Sequence, residues 1–331
     1  MPDHPYPNTT RPRLVTDLMK ALRKRIKKPL LLVLAGVLIA GAILVYKGVR
    51  RLTRSQWNDK KLTAAFADGK YGEATLGYLE GPTREIRFLQ IGEDPAKPLI
   101  AFIHGSPSSS SFWVKMMRDS SLRARANLLA IDRPGYGGSG LGQPMISVAE
   151  QAENVYEIIQ QRRPGKDQRL VLHGSSYGGT VSARIAMDHP AEIDGLLLQS
   201  ASMAPREEFT YWISRPTNHW SLRWLMPRAI KTVNTEKLNH EPQLEEMAKL
   251  WDRITAQVVI AHGTDDWLIY PPNAYYACDQ LVNAEEVIHH MLKGKKHDLI
   301  KTAPKLLKQY LHYLLNEPAP RPPTDPDNPI P

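Results

Sequence analysis

Apolar and polar positions divide the chain into a short apolar run near the N-terminus and a longer region of alternating elements. Between residues 73 and 315, short apolar runs alternate with stretches of helical periodicity. This alternation is typical of a mostly parallel sheet that is covered by helices on both faces. The predicted strands are Thr75–Glu80, Glu85–Ile91, Leu99–Ile103, Leu128–Ile131, Leu170–Leu172, Ile193–Gln199, Val258–Ala261 and Val287–Leu292. The predicted helices are Ser110–Arg118, Val148–Gln161, Tyr177–Asp188, Pro271–Val282 and His297–Leu315.

Residues 203–255 interrupt the alternation between two consecutive strands. They contain no apolar strand, but they hold four tryptophans among polar and basic residues, namely Trp212, Trp220, Trp224 and Trp251. Tryptophans in such a segment more often pack small helices together than contact a substrate. We therefore predict that this insertion forms a small helical cap.

The apolar run Leu30–Tyr46 contains 17 residues without a charge, which is about 26 Å of helix, and cations flank it on both sides. We predict an uncleaved transmembrane anchor whose N-terminus is cytoplasmic, so that the folded domain lies on the periplasmic or extracellular side. The alternative is a cleaved signal peptide, because Ala40–Ala42 resembles a cleavage site.

Composition assigns the remaining boundaries. Residues 1–29 are predicted to be a disordered basic tail, 47–72 a linker that is partly helical over Trp57–Phe66, and 316–331 a proline-rich disordered tail. The folded domain is therefore expected over residues 73–315.

The net charge of +9 belongs to the N-terminal part of the chain. Residues 1–61 carry 14 Lys and Arg against three Asp, whereas the rest carries 29 basic and 31 acidic side chains. A nearly neutral folded domain does not favour a nucleic-acid partner. The sequence does not indicate an oligomeric state.

A candidate nucleophile follows the strand Leu170–Leu172. Residues 174–178 read G-S-S-Y-G, which is the G-x-S-x-G pattern centred on Ser176. A nucleophilic serine on a sharp turn between strand and helix needs small neighbours two residues away on each side, and Gly174 and Gly178 satisfy this need. Centring the pattern on Ser175 would place His173 and Tyr177 at those positions, so we favour Ser176.

A serine nucleophile needs a histidine base and a carboxylate that orients the base. Asp266 follows one late strand and His297 follows the next, so the chain order is serine, acid, histidine. Asp265 is the alternative acid, although the G-x-x-D spacing from Gly263 favours Asp266. Neither histidines nor carboxylates have metal-ligand spacing, and we predict no metal and no cofactor.

Four motifs together resemble the α/β-hydrolase family over residues 73–315. They are H-G-x-P at His104–Pro107, D-x-P-G-x-G-x-S at Asp132–Ser139, the G-x-S-x-G turn, and the G-x-x-D and His pair. The resemblance implies the α/β-hydrolase fold, with a mostly parallel central sheet, helices on both faces and the cap between two strands.

The resemblance also implies roles for single residues. The oxyanion hole would use the backbone N–H groups of Ser106 and Tyr177, and Gly105 would let its loop approach the nucleophile closely. His104 would brace this loop without taking part in proton transfer.

The activity implied by this resemblance is cofactor-independent hydrolysis of a small carboxylic ester through a Ser176, His297 and Asp266 triad. The alternatives within the family are an amidase or proline-type peptidase and a hydrolase of C–C bonds. A binding module tethered to the membrane and without turnover is the alternative of another class.

Overall fold

One eight-stranded sheet organises the folded part of the chain. In this computed structural model, the described residues are 32–48 except 38, 42 and 45, and 55–316 except 72, 208–213 and 225. The strands are β1 Ala74–Glu80, β2 Glu85–Ile91, β3 Leu99–Ile103, β4 Asn127–Ile131, β5 Leu170–Ser175, β6 Gly195–Gln199, β7 Gln257–Gly263 and β8 Glu286–Leu292. Each predicted strand is confirmed, with its ends moved by a few residues at most.

The sheet order is β1-β2-β4-β3-β5-β6-β7-β8. The first two pairings, β1 with β2 and β2 with β4, are antiparallel, and every other pairing is parallel. The carboxyl ends of β5, β7 and β8 therefore lie at one edge of the sheet, where ligands bind in open α/β sheets.

Helices cover both faces of this sheet. The described helices are α1 Asp59–Ala64, α2 Val114–Met117, α3 Ser120–Arg125, α4 Val148–Arg162, α5 Tyr177–Asp188, α6 Ser214–Asn218, α7 Trp220–Arg223, α8 Arg228–Met247, α9 Pro272–Gln280, α10 Leu299–Thr302 and α11 Pro304–Leu314. Helices α4, α5 and α9 pack on one face and α1, α2, α3, α10 and α11 on the other. Strands β3, β4 and β6 in the middle of the sheet are mostly apolar and wholly buried, as a sheet covered on both faces requires.

The C-terminal helix differs from the prediction. A single helix over His297–Leu315 was expected, but the structure divides it into α10 and α11 at Ala303, which has φ −141° and ψ 41°. Ala303 precedes Pro304, and the proline ring disfavours helical backbone at the residue before it. The break follows from this local steric clash.

Helices α6, α7 and α8 form the insertion between β6 and β7, where the sequence predicted a helical cap. The packing role expected for the tryptophans applies to Trp251, which is buried. Trp220 and Trp224 are instead 80% and 70% exposed. Trp212 lies outside the described residues.

The chain forms two units, Met1–Leu52 and Thr53–Pro331. The second unit therefore begins at Thr53, although the sequence assigned residues 47–72 to a linker. The reason is that Leu62 of α1 and nearby Phe66 are buried in the core. Ser55 and Gln56 also hydrogen-bond to backbone carbonyls at positions 107 and 108, over 2.8 and 2.6 Å.

The described residues of the first unit, between 32 and 48, are helical and exposed. Among all described helices, none is both long and apolar enough to cross a membrane. The described helices therefore do not support the predicted anchor Leu30–Tyr46, of which residues 30, 31, 38, 42 and 45 lie outside the described part. The predicted tail 1–29 and the predicted tail 316–331, apart from residue 316, also lie outside it.

His173 is a buried titratable group in the middle of this sheet. Its ring packs against the rings of Phe102 and Trp113, with ring centroids 5.7 and 4.5 Å away, and its Nε2 lies 3.0 Å from Gln199 Oε1. Burial lowers the pKa of His173 to about 3, although the hydrogen bond to Gln199 acts in the opposite direction. The folded protein therefore keeps this imidazole neutral.

We predict that His173 makes the fold sensitive to mild acid. Below pH 6.5 the unfolded chain binds a proton that the folded chain does not bind until about pH 3, so stability falls as the pH drops. The expected loss is about 1 kcal/mol per pH unit. Urea unfolding of wild type and His173→Phe between pH 7.5 and 5 measures it. The variant should show the shallower pH dependence, and parallel curves would contradict this account.

Candidate active site

Ser176 occupies the turn between β5 and α5. Its backbone has φ 55° and ψ −126°, a positive φ that non-glycine residues rarely adopt. Its N–H donates to the carbonyl of Gln199 over 2.9 Å, which ties the turn to the end of β6. The strained backbone therefore has support from the neighbouring strand, and Ser176 lines a cavity at the carboxyl edge of the sheet.

Two glycines make this turn sterically possible. A Cβ on Gly174 would lie 2.4 Å from Ser182 Oγ and 2.5 Å from the carbonyl oxygen of Gly178. A Cβ on Gly178 would lie 2.3 Å from the carbonyl oxygen of Ile103. Backbone atoms cannot yield as a flexible side chain can, so the G-x-S-x-G spacing reflects the close packing of β3, β5 and α5.

The loop after β3 reaches the same turn. A Cβ on Gly105 would lie 2.7 Å from the Cβ of Ser176. Ser106 and Tyr177, the predicted oxyanion-hole residues, line one cavity with Ser176. The structure therefore brings the three together, whereas their catalytic roles remain predictions.

His104 contributes to this loop as a neutral imidazole. Its Nε2 accepts a hydrogen bond from the N–H of Arg133 over 2.9 Å, so the proton resides on Nδ1, which lies 2.8 Å from the carbonyl oxygen of Gly105. Burial and the charge of Arg133 lower the pKa of His104 well below its usual value. These contacts brace the loop that carries Ser106.

Asp266 and His297 form a close hydrogen-bonded pair. His297 Nδ1 lies 2.7 Å from Asp266 Oδ2, and Asp266 Oδ1 accepts hydrogen bonds from the N–H groups of Leu268 and Ile269 over 2.9 and 3.0 Å. Burial alone would raise the pKa of Asp266, but the hydrogen bond and charge of His297 outweigh burial and lower it. Asp266 is thus held as a carboxylate that orients the histidine ring.

The side chain of Asp265, the alternative acid, makes a different contact. Its side chain is exposed and accepts a hydrogen bond from the hydroxyl of Thr264 over 2.9 Å. His262 supports the loop after β7. Its Nε2 lies 2.9 Å from the carbonyl oxygen of Ile269 and 3.5 Å from Asp266 Oδ2. The geometry therefore pairs His297 with Asp266.

The structure contains no hydrogen bond between Ser176 Oγ and His297, both of which are described residues. Hydrogen bonds between a nucleophile and its base are often long before substrate binds and shorten in the complex. His297 is partly exposed, with 23% of its side chain accessible, and it lies on a loop after β8. Ser176 and the Asp266–His297 pair thus lie at the same edge of the sheet without a hydrogen bond between them.

The cavity at Ser176 has a volume of about 100 Å³. Helix α8 contributes Asn234, Lys237 and His240 to its walls, and Leu268 and Ile269 provide apolar surface. A larger cavity of about 400 Å³ lies beside Asp59 and Arg87 and contains none of the predicted site residues. The smaller cavity is the candidate site because Ser176 lines it. Within the described residues, no cluster of three His, Cys, Asp or Glu side chains could hold a metal ion.

Sequence reasoning predicted a cap but missed the two cap residues that contact this site. Glu236 and His240, four residues apart on α8, contact the loop residue Arg133 and the ring of Tyr177. Arg133 belongs to the D-x-P-G-x-G-x-S motif and could have been singled out there. Glu236 and His240 carry no motif, because their contacts depend on how α8 packs on the sheet edge.

Comparisons with known proteins agree with this architecture. A family model described as alpha/beta hydrolase fold matches residues 98–222. A solved structure of a membrane phospholipase A is similar over 89% of this chain and 100% of its own, with 19% identity and a TM-score of 0.57. The chain has the α/β-hydrolase fold. The fold class predicted from the sequence is thereby confirmed.

Curated relatives match this chain over shorter stretches. A 1-acylglycerol-3-phosphate O-acyltransferase of Arabidopsis thaliana is 24% identical over 152 residues, which are 44% of this chain and 36% of that protein. A pimeloyl-[acyl-carrier protein] methyl ester esterase of Yersinia enterocolitica is 26% identical over 179 residues, 50% of this chain and 64% of that protein. The chain spans about a third of the length of the acyltransferase.

We predict that Asp266→Asn weakens the fold more than Asp265→Asn does. The folded-state pKa of Asp266 is lowered, so its carboxylate stabilises the protein above about pH 4, and this stabilisation is lost as the pH falls through the folded-state pKa. At pH 7 the expected loss for Asp266→Asn is on the order of 1–2 kcal/mol, because a charged hydrogen bond is lost. Urea unfolding at pH 7 and pH 3.5 measures both variants. Equal losses at pH 7 would contradict the assignment.

Proposed function

We propose that the protein is a cofactor-independent serine hydrolase that cleaves small carboxylic esters through an acyl-enzyme formed on Ser176. The observation that carries the proposal is the strained turn that presents Ser176 to a cavity, with the Asp266 and His297 pair at the same sheet edge. The esterase and phospholipase named among the similar proteins support ester chemistry as the first choice.

In the proposed reaction, Ser176 Oγ attacks the ester carbonyl carbon while His297 takes the serine proton. The C–O bond to the alcohol then breaks, and His297 returns the proton to the leaving oxygen. Water, deprotonated by His297, attacks the resulting acyl-serine, and release of the acid restores Ser176 with its proton. Asp266 holds the ring so that Nδ1 carries its proton and Nε2 is available as the base.

Negative charge develops on the carbonyl oxygen in the tetrahedral intermediate. Ser106 and Tyr177 line the cavity with Ser176, and their N–H groups would donate hydrogen bonds to this oxygen. Preorganised donors of this kind matter because they need no rearrangement during the reaction, and losing one typically costs about 3–4 kcal/mol of barrier.

Amide and C–C hydrolysis use the same nucleophile and base, so they remain alternatives within this fold. A screen of p-nitrophenyl esters, proline anilides and dienol acids distinguishes them by the substrate with the highest kcat/KM. A non-catalytic module is the alternative of another class, and it predicts that folded protein neither turns over these substrates nor reacts with a serine-directed probe.

We predict that Ser176→Ala abolishes labelling by a fluorophosphonate, because this probe reacts only with an activated serine hydroxyl. The matched control is Ser175→Ala, which removes the neighbouring hydroxyl on β5 and should leave labelling within about twofold of wild type. Gel fluorescence measures labelling, and circular dichroism checks the fold. If Ser176→Ala is folded and still labelled, the nucleophile assignment is wrong.

We propose separately that the protein acts at a membrane. The uncharged run 30–46 supports an anchor, with the N-terminus cytoplasmic and the hydrolase domain on the periplasmic or extracellular side. Two features of the cap are compatible with a lipid surface. Trp220 and Trp224 are largely exposed, and residues 214–235 contain four Lys and Arg but no Asp or Glu.

We predict that the full chain resists extraction from membranes by alkaline carbonate, whereas a chain starting at Thr53 is released. Thr53 is the suitable start because it keeps Ser55 and Gln56, which bind the loop after β3. A reporter enzyme fused to the C-terminus should show that this end of the chain lies outside the cytoplasm. Release of the full chain by carbonate, or a reporter active in the cytoplasm, would contradict the anchor.

A further inference from the structure

A buried ion pair joins the cap to the loop after β4. Arg133 Nη1 lies 2.8 Å from Glu236 Oε1, and the side chains are 0% and 1% exposed. Burial alone would lower the pKa of Arg133, but the Glu236 carboxylate outweighs burial and raises it, so the guanidinium is charged. Transferring two charges out of water is costly, and apolar residues of the same size are often at least as stabilising. Stability alone is therefore a weak explanation for this pair.

The ion pair converges on the hydroxyl of Ser106. Ser106 Oγ donates to Glu236 Oε2 over 2.7 Å and accepts from Arg133 Nη2 over 2.7 Å. The hydroxyl of Tyr136 lies 2.9 Å from the same oxygen and also hydrogen-bonds to Glu236. Three side chains from two segments of the chain thus hold one short side chain, and that side chain belongs to the residue whose N–H is assigned to the oxyanion hole.

The same arginine and the same helix also contact the second donor residue. The guanidinium of Arg133 lies over the ring of Tyr177, 4.5 Å from its centroid. The other contact comes from His240 of α8, whose ring stacks on Tyr177 with centroids 4.4 Å apart. Arg133 Nε further donates to the carbonyl of His104 over 2.8 Å, at the start of the loop that carries Ser106.

We propose that Glu236 and Arg133 are positioning residues that set the geometry of the oxyanion hole, so that the cap helix and the hole act as one unit. The proposal rests on the proposed function, because it concerns the same tetrahedral intermediate. Neither residue needs to touch the substrate. Their effect passes through the Ser106 hydroxyl and the Tyr177 ring to the two N–H groups, whose placement within a fraction of an ångström decides how well they bind a developing charge.

The test compares Ser106→Ala, Glu236→Gln and the double variant. Ser106→Ala removes the hydroxyl and keeps the N–H, while Glu236→Gln keeps the shape and removes the charge. Each single variant should lower kcat about tenfold on a p-nitrophenyl ester, with KM within about twofold. Binding of an aryl trifluoromethyl ketone, which forms a tetrahedral adduct with Ser176, should weaken by the same factor. The double variant should lose less than the product of the two single losses, because both act through one contact.

The matched control is Glu245→Gln, which changes an exposed glutamate of the same helix and should leave kcat and ketone affinity unchanged. If Glu236→Gln does not fold, Tyr136→Phe replaces it, because the ring is retained and only the hydroxyl that contacts Ser106 and Glu236 is lost. This variant should lower kcat and ketone affinity by equal factors.

Two results would overturn the proposal. In the first, Glu236→Gln lowers the melting temperature but leaves kcat and ketone affinity unchanged, which indicates that the ion pair only stabilises the fold. In the second, the losses in kcat of the two single variants multiply in the double variant, which excludes a common route through Ser106. Wild-type protein that neither reacts with the fluorophosphonate nor hydrolyses any ester would instead refute the proposed function, so the two failures are distinguishable.

Discussion

The close approach of three backbone segments around Ser176 is the constraint on which this site depends. The turn after β5, the loop after β3 and the start of α5 lie so near one another that a Cβ on Gly105 or Gly178 would overlap with their atoms. This packing holds a non-glycine residue at φ 55°, a conformation that costs free energy and persists only where the surroundings enforce it. The remainder of the fold supplies that enforcement.

The parallel sheet then determines which side chains can meet the serine. Because β5, β7 and β8 are parallel, the loops after them emerge at one edge, and residues far apart in the chain become neighbours. Asp266 and His297, separated by 31 positions, lie 2.7 Å apart in this way. The buried carboxylate keeps its charge because two backbone N–H groups and the imidazole compensate for the loss of water.

The contact between α8 and the loops that carry Ser106 and Arg133 is polar, unlike the sheet interior. Arg133 and Glu236 are buried there, and the side chain of Gln151 hydrogen-bonds to both. The hydroxyls of Ser106 and Tyr136 also hydrogen-bond to Glu236. A polar contact specifies one arrangement, because a displaced cap would leave buried charges without partners. An apolar contact would tolerate sliding. This difference gives a physical reason for a cap whose position is defined relative to the oxyanion loop.

The sequence by itself determined the strand order along the chain, the G-x-S-x-G turn and the residues that follow the late strands. These features are local, because they depend on apolar periodicity, on glycine sterics and on short spacings. Local spacing favoured Asp266 over Asp265, but it left the choice open until the structure placed His297 Nδ1 against Asp266. The inclusion of residues 55–66 in the folded unit and the network around Glu236 appeared only in the tertiary structure. Both depend on packing between segments far apart in sequence, and a side chain's partner across such a distance leaves no periodic pattern in its own segment.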